Sequence, residues 1–164
     1  MKEVAILLLV ALMLNGCSST TPSVQTASGG IWQSEMLGGD GAASGLSFIT
    51  QFTAASDGTL NVTTFQLLTQ IDGGCFPVTG PRPSGTLNAS FNSADQVVPP
   101  FSFSFTVVSG GNTLTLTGTS MTGTLNTTNN TLSNGVITGN WTMVGGTGCN
   151  NINGTFTMTQ TASG

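Results

Sequence analysis

The chain has no histidine and no tyrosine, and its basic residues are Lys2 and Arg82 alone. Most general acid–base and nucleophilic mechanisms draw on histidine, tyrosine or lysine, so the usual catalytic partners are missing. A pair of carboxylates remains as a route to hydrolysis. After Glu3, the acidic residues are Glu35, Asp40, Asp57, Asp72 and Asp95. The aspartates lie in or beside predicted turns, where aspartate is common for conformational reasons, and we predict that the protein is not an enzyme.

Charge of either sign is scarce. Charged residues make up 5% of the chain, and the formal net charge at pH 7 is −4. Binding to phosphates needs clustered lysine and arginine, and docking on anionic lipid needs a basic surface, so we expect no nucleic acid partner and no electrostatic membrane contact. Because histidine and a Cys-x-x-Cys spacing are both absent, we expect no metal site and no other cofactor.

Helical periodicity of useful length is also missing. Apolar residues instead alternate with serine, threonine and asparagine at a period of two, which is typical of strands that are buried on one side. Phe101, Phe103 and Phe105 are the clearest example. Other residues predicted to face inward are Trp32, Ser34, Met36, Phe48, Thr50, Phe52, Leu60, Val62, Phe65, Leu67, Leu114, Leu116, Ile137, Gly139, Trp141, Met143, Ile152, Gly154, Phe156 and Met158.

Antiparallel strands in a small domain must hide their edges, and closure into a barrel does this best. We therefore predict an all-β fold over residues 30–161, a small antiparallel up-and-down barrel of about 8–10 strands. A two-sheet β-sandwich is the alternative. The alternation slips by one residue at Thr63-Thr64, which predicts a β-bulge there. Residues 92–100 are predicted to form a loop, and residues 85–91 a strand.

A short repeat, Gly-Thr-Leu-Asn, occurs at residues 58–61, 85–88 and 123–126. The unequal spacing of the three copies argues against a solenoid, whose repeats keep a fixed period. Each copy is predicted to begin a strand just after a turn. We expect the leucine of each copy to point into the core.

The N-terminus carries an apolar run, Val4 to Leu14, followed by Leu14-Asn15-Gly16-Cys17. A membrane-spanning helix needs about 20 apolar residues, so this run is too short to be one. The four residues resemble the lipobox of bacterial lipoprotein signal peptides. The resemblance implies that residues 1–16 are a removed signal peptide, that Cys17 carries acyl chains such as palmitate, and that residues 17–29 are a flexible tether. An ordinary signal peptide with an incidental cysteine is the alternative.

Ser18, rather than aspartate, follows the cysteine. In Gram-negative lipoproteins this resembles the outer-membrane sorting class, which implies a lipid-anchored protein of the outer membrane. Cys75 and Cys149 then remain in an exported domain, and two such cysteines are interpreted as one disulfide. Two free thiols are the alternative.

Gly30-Ile31-Trp32, at the first predicted strand, resembles the Gly-x-Trp start of lipocalins and other calycin barrels. The second lipocalin motif, a C-terminal helix and a late arginine are absent, so the resemblance concerns architecture and brings no binding residues with it. A ligand site is predicted near the mouth formed by the Cys75 and Cys149 loops. Its candidate residues are Asp72, Phe76, Arg82 and Trp141.

These features together predict a non-catalytic envelope lipoprotein that binds a small apolar ligand or a protein partner. The alternative is a structural or adhesive surface module with a filled core and no small ligand. A hollow barrel would favour the former and a solid interior the latter.

Overall fold

The structure, a computed structural model, describes residues 30–37, 47–55, 57–69, 82–129, 131–145 and 152–162. Within these ranges no helix occurs that is long and apolar enough to cross a membrane. The strands are β1 (Ile31–Leu37), β2 (Ser47–Ala54), β3 (Leu60–Thr69), β4 (Arg82–Phe91), β5 (Val97–Ser109), β6 (Asn112–Asn126), β7 (Thr131–Val144) and β8 (Ile152–Ala162).

All eight strands belong to one antiparallel sheet, in the order β3-β2-β1-β8-β7-β6-β5-β4. Except for β3 and β4, strands that are adjacent in sequence pair along their length, and β8 returns to pair with β1. The sheet curls into a barrel-like shape with β3 and β4 at its two edges. The predicted all-β up-and-down fold is therefore confirmed, with eight strands in a single curled sheet in place of the two packed sheets of a sandwich.

The two ends of the sheet differ in their connections. We call the end at which β1 begins the lower end and the opposite end the upper end. β1 runs from the lower to the upper end, and each following strand runs in the direction opposite to the one before it. The lower end holds the connections from β2 to β3, β4 to β5 and β6 to β7. The upper end holds the turn from β5 to β6 at Gly110-Gly111, and it is where β1, β3 and β7 end and β2, β4 and β8 begin.

The two edge strands meet near the lower end, at a contact that we call the seam. The backbone N–H of Leu87 donates to the carbonyl oxygen of Gly58 at 2.7 Å, and Thr59 forms an antiparallel bridge with Thr86. Two copies of the Gly-Thr-Leu-Asn repeat thus face each other across the seam. The prediction that every copy begins a strand is wrong, since the second lies inside β4 and the third ends β6. All three repeat leucines are buried, as predicted.

The predicted bulge in β3 is confirmed. Gln51 pairs with Thr64 while Phe52 pairs with Val62, which leaves Thr63 as the extra residue. The predicted loop over residues 92–100 is too long, because β5 already begins at Val97. An irregularity in the β4–β5 register accommodates the prolines at positions 99 and 100. β4 also begins earlier than predicted, at Arg82, and proline at position 83 is tolerated because β4 is an edge strand.

Large aromatic side chains fill the inside of the sheet, and several lie opposite glycines on the neighbouring strand. Trp141 pairs with Gly154 and Phe156 pairs with Gly139. A Cβ on Gly139 would lie 2.9 Å from a ring carbon of Phe156, and one on Gly154 would lie 2.7 Å from Nε1 of Trp141. These glycines leave the space that the rings occupy, so this part of the glycine content serves packing.

Candidate functional site

Most of the predicted site residues lie outside the described residues. They are Cys17, Asp72, Cys75, Phe76 and Cys149. The lipidation, the disulfide and the Asp72–Phe76 part of the ligand site therefore stay predictions. The strands that flank the two cysteines do share one feature: Thr69 and Arg82 on one side, and Val144 and Ile152 on the other, all lie at the upper end.

The backbone of Arg82 begins β4 at the upper end, where it pairs with Val108. Trp141 lies inside the barrel on β7, three residues before that strand ends at the upper end, and is fully buried. Its indole Nε1–H donates to the carbonyl oxygen of Leu37 at 3.2 Å. Because this donor is already paired and the ring packs against Gly154, the structure gives Trp141 a packing role.

A chain of five phenylalanine rings crosses the interior. Phe48 lies 4.9 Å from Phe65 and 6.1 Å from Phe105, measured between ring centroids. Phe103 continues the chain, at 6.4 Å from Phe105 and 6.1 Å from Phe156. The rings come from β3, β2, β5 and β8, so their contacts join the β3 side of the curled sheet to the strands opposite. Aromatic pairs at these separations add about 0.5–1.5 kcal/mol each beyond their buried area.

Several polar side chains are buried, among them Ser90, Ser109 and Asn112, and two of them lie together on β1 and β2. Ser34 and Thr50 are fully buried, and Trp32 is 1% exposed. Trp32 is the cross-strand neighbour of Thr50, and Ser34 follows Trp32 on the same face of β1. We call these three residues the interior polar patch. It is the only group of facing polar side chains that we find on the inward surface of β1 and β2 within the described ranges.

The three polar groups of the patch differ in how they are satisfied. The Thr50 hydroxyl donates to the carbonyl oxygen of Thr64 at 3.1 Å. The indole Nε1 of Trp32 and the hydroxyl Oγ of Ser34 are buried without a hydrogen-bond partner among the residues that the structure describes. An unsatisfied buried polar group costs about 1–3 kcal/mol, and such groups are uncommon in folded proteins.

The surroundings of Trp32 fix the position of its ring. The indole stacks on Phe52, with ring centroids 5.4 Å apart and planes 19° from parallel. On the β7 side it packs against Gly135, where a Cβ would collide with the indole Cη2. The backbone N–H of Gly135 donates to Oε1 of Gln160, the β8 neighbour of Trp32, at 3.2 Å. The indole therefore has little freedom to turn toward a different partner.

The sequence placed Trp32 and Ser34 on the same face of a strand by alternation, and Trp32 belongs to the Gly-x-Trp pattern. Neither residue was predicted as a site residue. The sequence does show that Ser34 alternates with Trp32 and Met36 on the inward face of the strand, and serine is an unusual residue at a core position. Alternation alone cannot tell whether such a hydroxyl is paired.

Charged and metal-binding chemistry is sparse in the described part of the chain. No three histidine, cysteine, aspartate or glutamate side chains come together there in a way that could hold a metal ion. Asp57, in the turn between β2 and β3, is exposed. The backbone N–H of Thr59 donates to its Oδ1 at 2.9 Å, and this hydrogen bond, aided by the Thr59 side chain, lowers the pKa of the Asp57 carboxyl below its ordinary value of 3.8.

Shallow depressions also mark the outer surface. One of about 270 Å³ lies at the β4–β5 irregularity and is lined by residues 88–90 and 100–102. Another, of about 300 Å³, lies at the lower end between β7 and β8 and is lined by Ser133, Asn134 and residues 160–162. Neither gathers charged side chains, so neither indicates a catalytic site.

The fold and its interior define a small all-β, barrel-like domain with an aromatic core and a few buried hydroxyl and indole groups. Its outer face is mostly polar, although the large apolar side chains of Leu37, Leu68, Val108 and Val144 are exposed. Comparison with known proteins gives no matching family model, no similar curated protein and no similar solved structure.

Proposed function

We propose that the protein is a lipid-anchored, non-catalytic module of the bacterial outer membrane that binds a small apolar molecule or an envelope protein. The support begins with the sequence, in which a short apolar run ends at Leu14-Asn15-Gly16-Cys17 and Ser18 follows. One acyl chain gives only marginal membrane binding, so multiple acylation at Cys17 would provide the lasting attachment.

The observation that carries this proposal is the Leu14-Asn15-Gly16-Cys17 pattern, and the place where the chain joins the sheet suggests how the anchored domain would be oriented. β1 begins at the lower end, beside the connections from β2 to β3, β4 to β5 and β6 to β7. A tether from Cys17 therefore reaches the domain at this end. A flexible tether of this length spans about 20 Å on average, enough to hold the domain off the bilayer. The lower end would then face the membrane and the upper end would point away from it.

The upper end is the better place for recognition in such an arrangement. The connections between β1 and β2, β3 and β4, and β7 and β8 all leave from it, and binding residues occur disproportionately on connections held by a rigid scaffold. The predicted ligand residues Asp72 and Phe76 belong to the second of these connections, and Arg82 begins the strand that follows it. Their role in binding is part of the proposal.

A second candidate function is a structural surface module with no small ligand. It is favoured by the ring-to-ring contacts of Phe48, Phe65 and Phe105 and by the glycines that face Trp141 and Phe156, because both features fill interior space. Extraction of the purified protein with organic solvent separates the two functions. A retained apolar molecule supports the binding module, whereas its absence from protein isolated under several growth conditions supports the structural one.

The anchor is tested by intact-mass analysis of protein extracted from membranes. The expected mass corresponds to a chain that begins at Cys17 and carries acyl groups. Cys17→Ser should lose the acyl mass and the outer-membrane location. Ser18→Asp is the matched variant, because it should keep the acyl mass and change only the membrane in which the protein resides. Recovery of the natural chain from the growth medium with an unmodified Cys17 thiol would contradict the anchor.

A further inference from the structure

We infer that Trp32 and Ser34 together bind one hydrogen-bond-accepting oxygen inside the barrel. The oxygen belongs either to a buried water molecule or to the carbonyl, carboxyl or hydroxyl group of an otherwise apolar ligand. This inference deepens the ligand-binding part of the proposed function, and it does not depend on the lipid anchor.

The first support is the chemistry of the two unpaired groups. An indole Nε1–H can only donate a hydrogen bond, whereas a serine hydroxyl can donate or accept one. A single oxygen can therefore accept from both Trp32 and Ser34 at once. Neither group has another partner among the described residues, and both are too deeply buried to reach bulk solvent.

Their placement is the second support. Trp32 and Ser34 are separated by one residue on β1, and both face the interior, so their Cα atoms are about 7 Å apart along the strand. A serine hydroxyl can rotate to meet a partner, so an oxygen lying between the two side chains could accept a hydrogen bond from both. The stack on Phe52 and the contact with Gly135 restrict the indole.

The walls around the patch define the class of molecule. The cross-strand neighbours of Ser34 are Phe48 on β2 and Met158 on β8, and both are fully buried. No described charged side chain faces the patch. A ligand would therefore have an apolar body with one polar oxygen, as in a fatty alcohol, a fatty acid or an ester, and a strongly ionic molecule would not fit.

The two indoles of the protein provide an internal comparison. Trp141 is as deeply buried as Trp32, but its Nε1–H is paired with the carbonyl oxygen of Leu37. In protein labelled with ¹⁵N-tryptophan, the spectrum contains two indole N–H signals, which Trp32→Phe assigns. We expect the Trp32 signal to show a cross-peak to a long-lived water, or to shift when 1-decanol or decanoic acid is added. The Trp141 signal should do neither.

A water cross-peak in the absence of additive identifies water as the source of the oxygen. A shift with decanol or decanoic acid, together with loss of the water cross-peak, identifies a ligand. In either case Ser34→Ala should abolish the cross-peak or weaken binding of the additive by about tenfold, the loss expected for one hydrogen bond. Absence of both the cross-peak and the shift from the Trp32 signal of the unmodified protein overturns the inference.

The change in Tm of Ser34→Ala provides a second test, because its sign depends on whether the Ser34 hydroxyl is hydrogen-bonded. If Ser34 holds an oxygen, Ser34→Ala should lower Tm by about 4 °C. If the hydroxyl is simply unsatisfied, removing it should raise Tm instead. Ser120→Ala, at an exposed position of β6, is the matched control and should leave Tm unchanged. These measurements report on the interior alone, so their failure is distinct from failure of the anchor, which the mass of Cys17 reports.

Discussion

Gly58 and Gly111 occupy turns with nearly the same backbone conformation, at φ +90° and +83°, but only Gly58 faces the seam. A Cβ at Gly58 would lie 2.8 Å from the carbonyl oxygen of Leu87 and 2.5 Å from Oδ1 of Asn88, whereas a Cβ at Gly111 would meet nothing within 4 Å. We therefore predict that Gly58→Ala destabilises the protein more than Gly111→Ala does.

The size of the difference follows from what the two variants share. Alanine at a positive φ costs about 1–2 kcal/mol, and the smaller entropy of the unfolded chain returns about 0.4–1 kcal/mol. Both terms apply equally at Gly58 and Gly111. Only Gly58→Ala must also displace backbone at the seam, which costs about 1–3 kcal/mol as overpacking. We expect a difference of about 2 kcal/mol, or roughly a thirtyfold change in the ratio of folded to unfolded protein.

Equilibrium unfolding in urea, followed by tryptophan fluorescence, measures both free energies. Hydrogen exchange adds a local measurement, because the amide of Leu87 donates across the seam and should exchange faster in Gly58→Ala alone. Equal losses of stability in the two variants, with unchanged exchange at Leu87, would refute the claim that the edges of the sheet are joined at this point.

Three other predictions concern the core, the lower turn and the upper end. Gly139→Ala would place a Cβ against the carbonyl oxygen of Thr117, which belongs to the backbone and cannot shift without disturbing the sheet. We expect this variant to lower the unfolding free energy by about 3 kcal/mol in the same urea assay. Because the pKa of the Asp57 carboxyl is lowered in the folded protein, the ionised carboxylate stabilises the fold fully above about pH 4, and this stabilisation declines as the pH falls through the folded-state pKa. Asp57→Asn should therefore make the unfolding free energy depend less on pH between about pH 5 and 2. An unchanged pH dependence in Asp57→Asn would assign the acid sensitivity to other groups. The predicted disulfide between Cys75 and Cys149 should lower the intact mass by two hydrogens and add roughly 4 kcal/mol that reduction removes, and alkylation of both thiols in unreduced protein would exclude it.

Alternation was enough to predict which residues face inward, because each strand buries one side and exposes the other. The inward positions of Trp32, Phe105 and Met158 follow from this rule, and all three are buried. The bulge at Thr63 was also predictable, since a strand whose alternation slips by one residue keeps its apolar face inward only if it carries an extra residue. These features depend on neighbours along the chain, which a sequence displays directly.

The seam depends on residues far apart in the chain and was not predictable in the same way. The repeat copies at residues 58–61 and 85–88 are visible in the sequence, but their direct pairing follows from the curl of the whole sheet. The strand at residues 97–100 was missed for a related reason. Adjacent prolines argue against a strand locally, and only the pairing of β5 with β4 shows that the register accommodates them.

The candidate site shows the same division. The inward phase of Ser34 can be predicted, but whether its hydroxyl meets a carbonyl, as that of Thr50 does, depends on the position of the opposite strand to within an ångström. The lack of a partner for Ser34 and Trp32 among the described residues is therefore information that the folded structure adds. This lack of a partner distinguishes an interior in which every polar group is paired from one that offers two hydrogen-bonding groups to an additional oxygen.

The two ends of the barrel bear on how a ligand would arrive. The stack of Trp32 on Phe52 lies toward the lower end, where the buried side chains of Leu60 and Leu125 also pack and the seam joins the two edges. Fully buried side chains, among them Met36, Trp141 and Met143, close the upper end as well. A molecule bound at the interior polar patch would therefore need one end of the barrel to open, and because the patch lies close to the start of β1, the lower end is the shorter route. In the proposed orientation that end faces the anchoring bilayer.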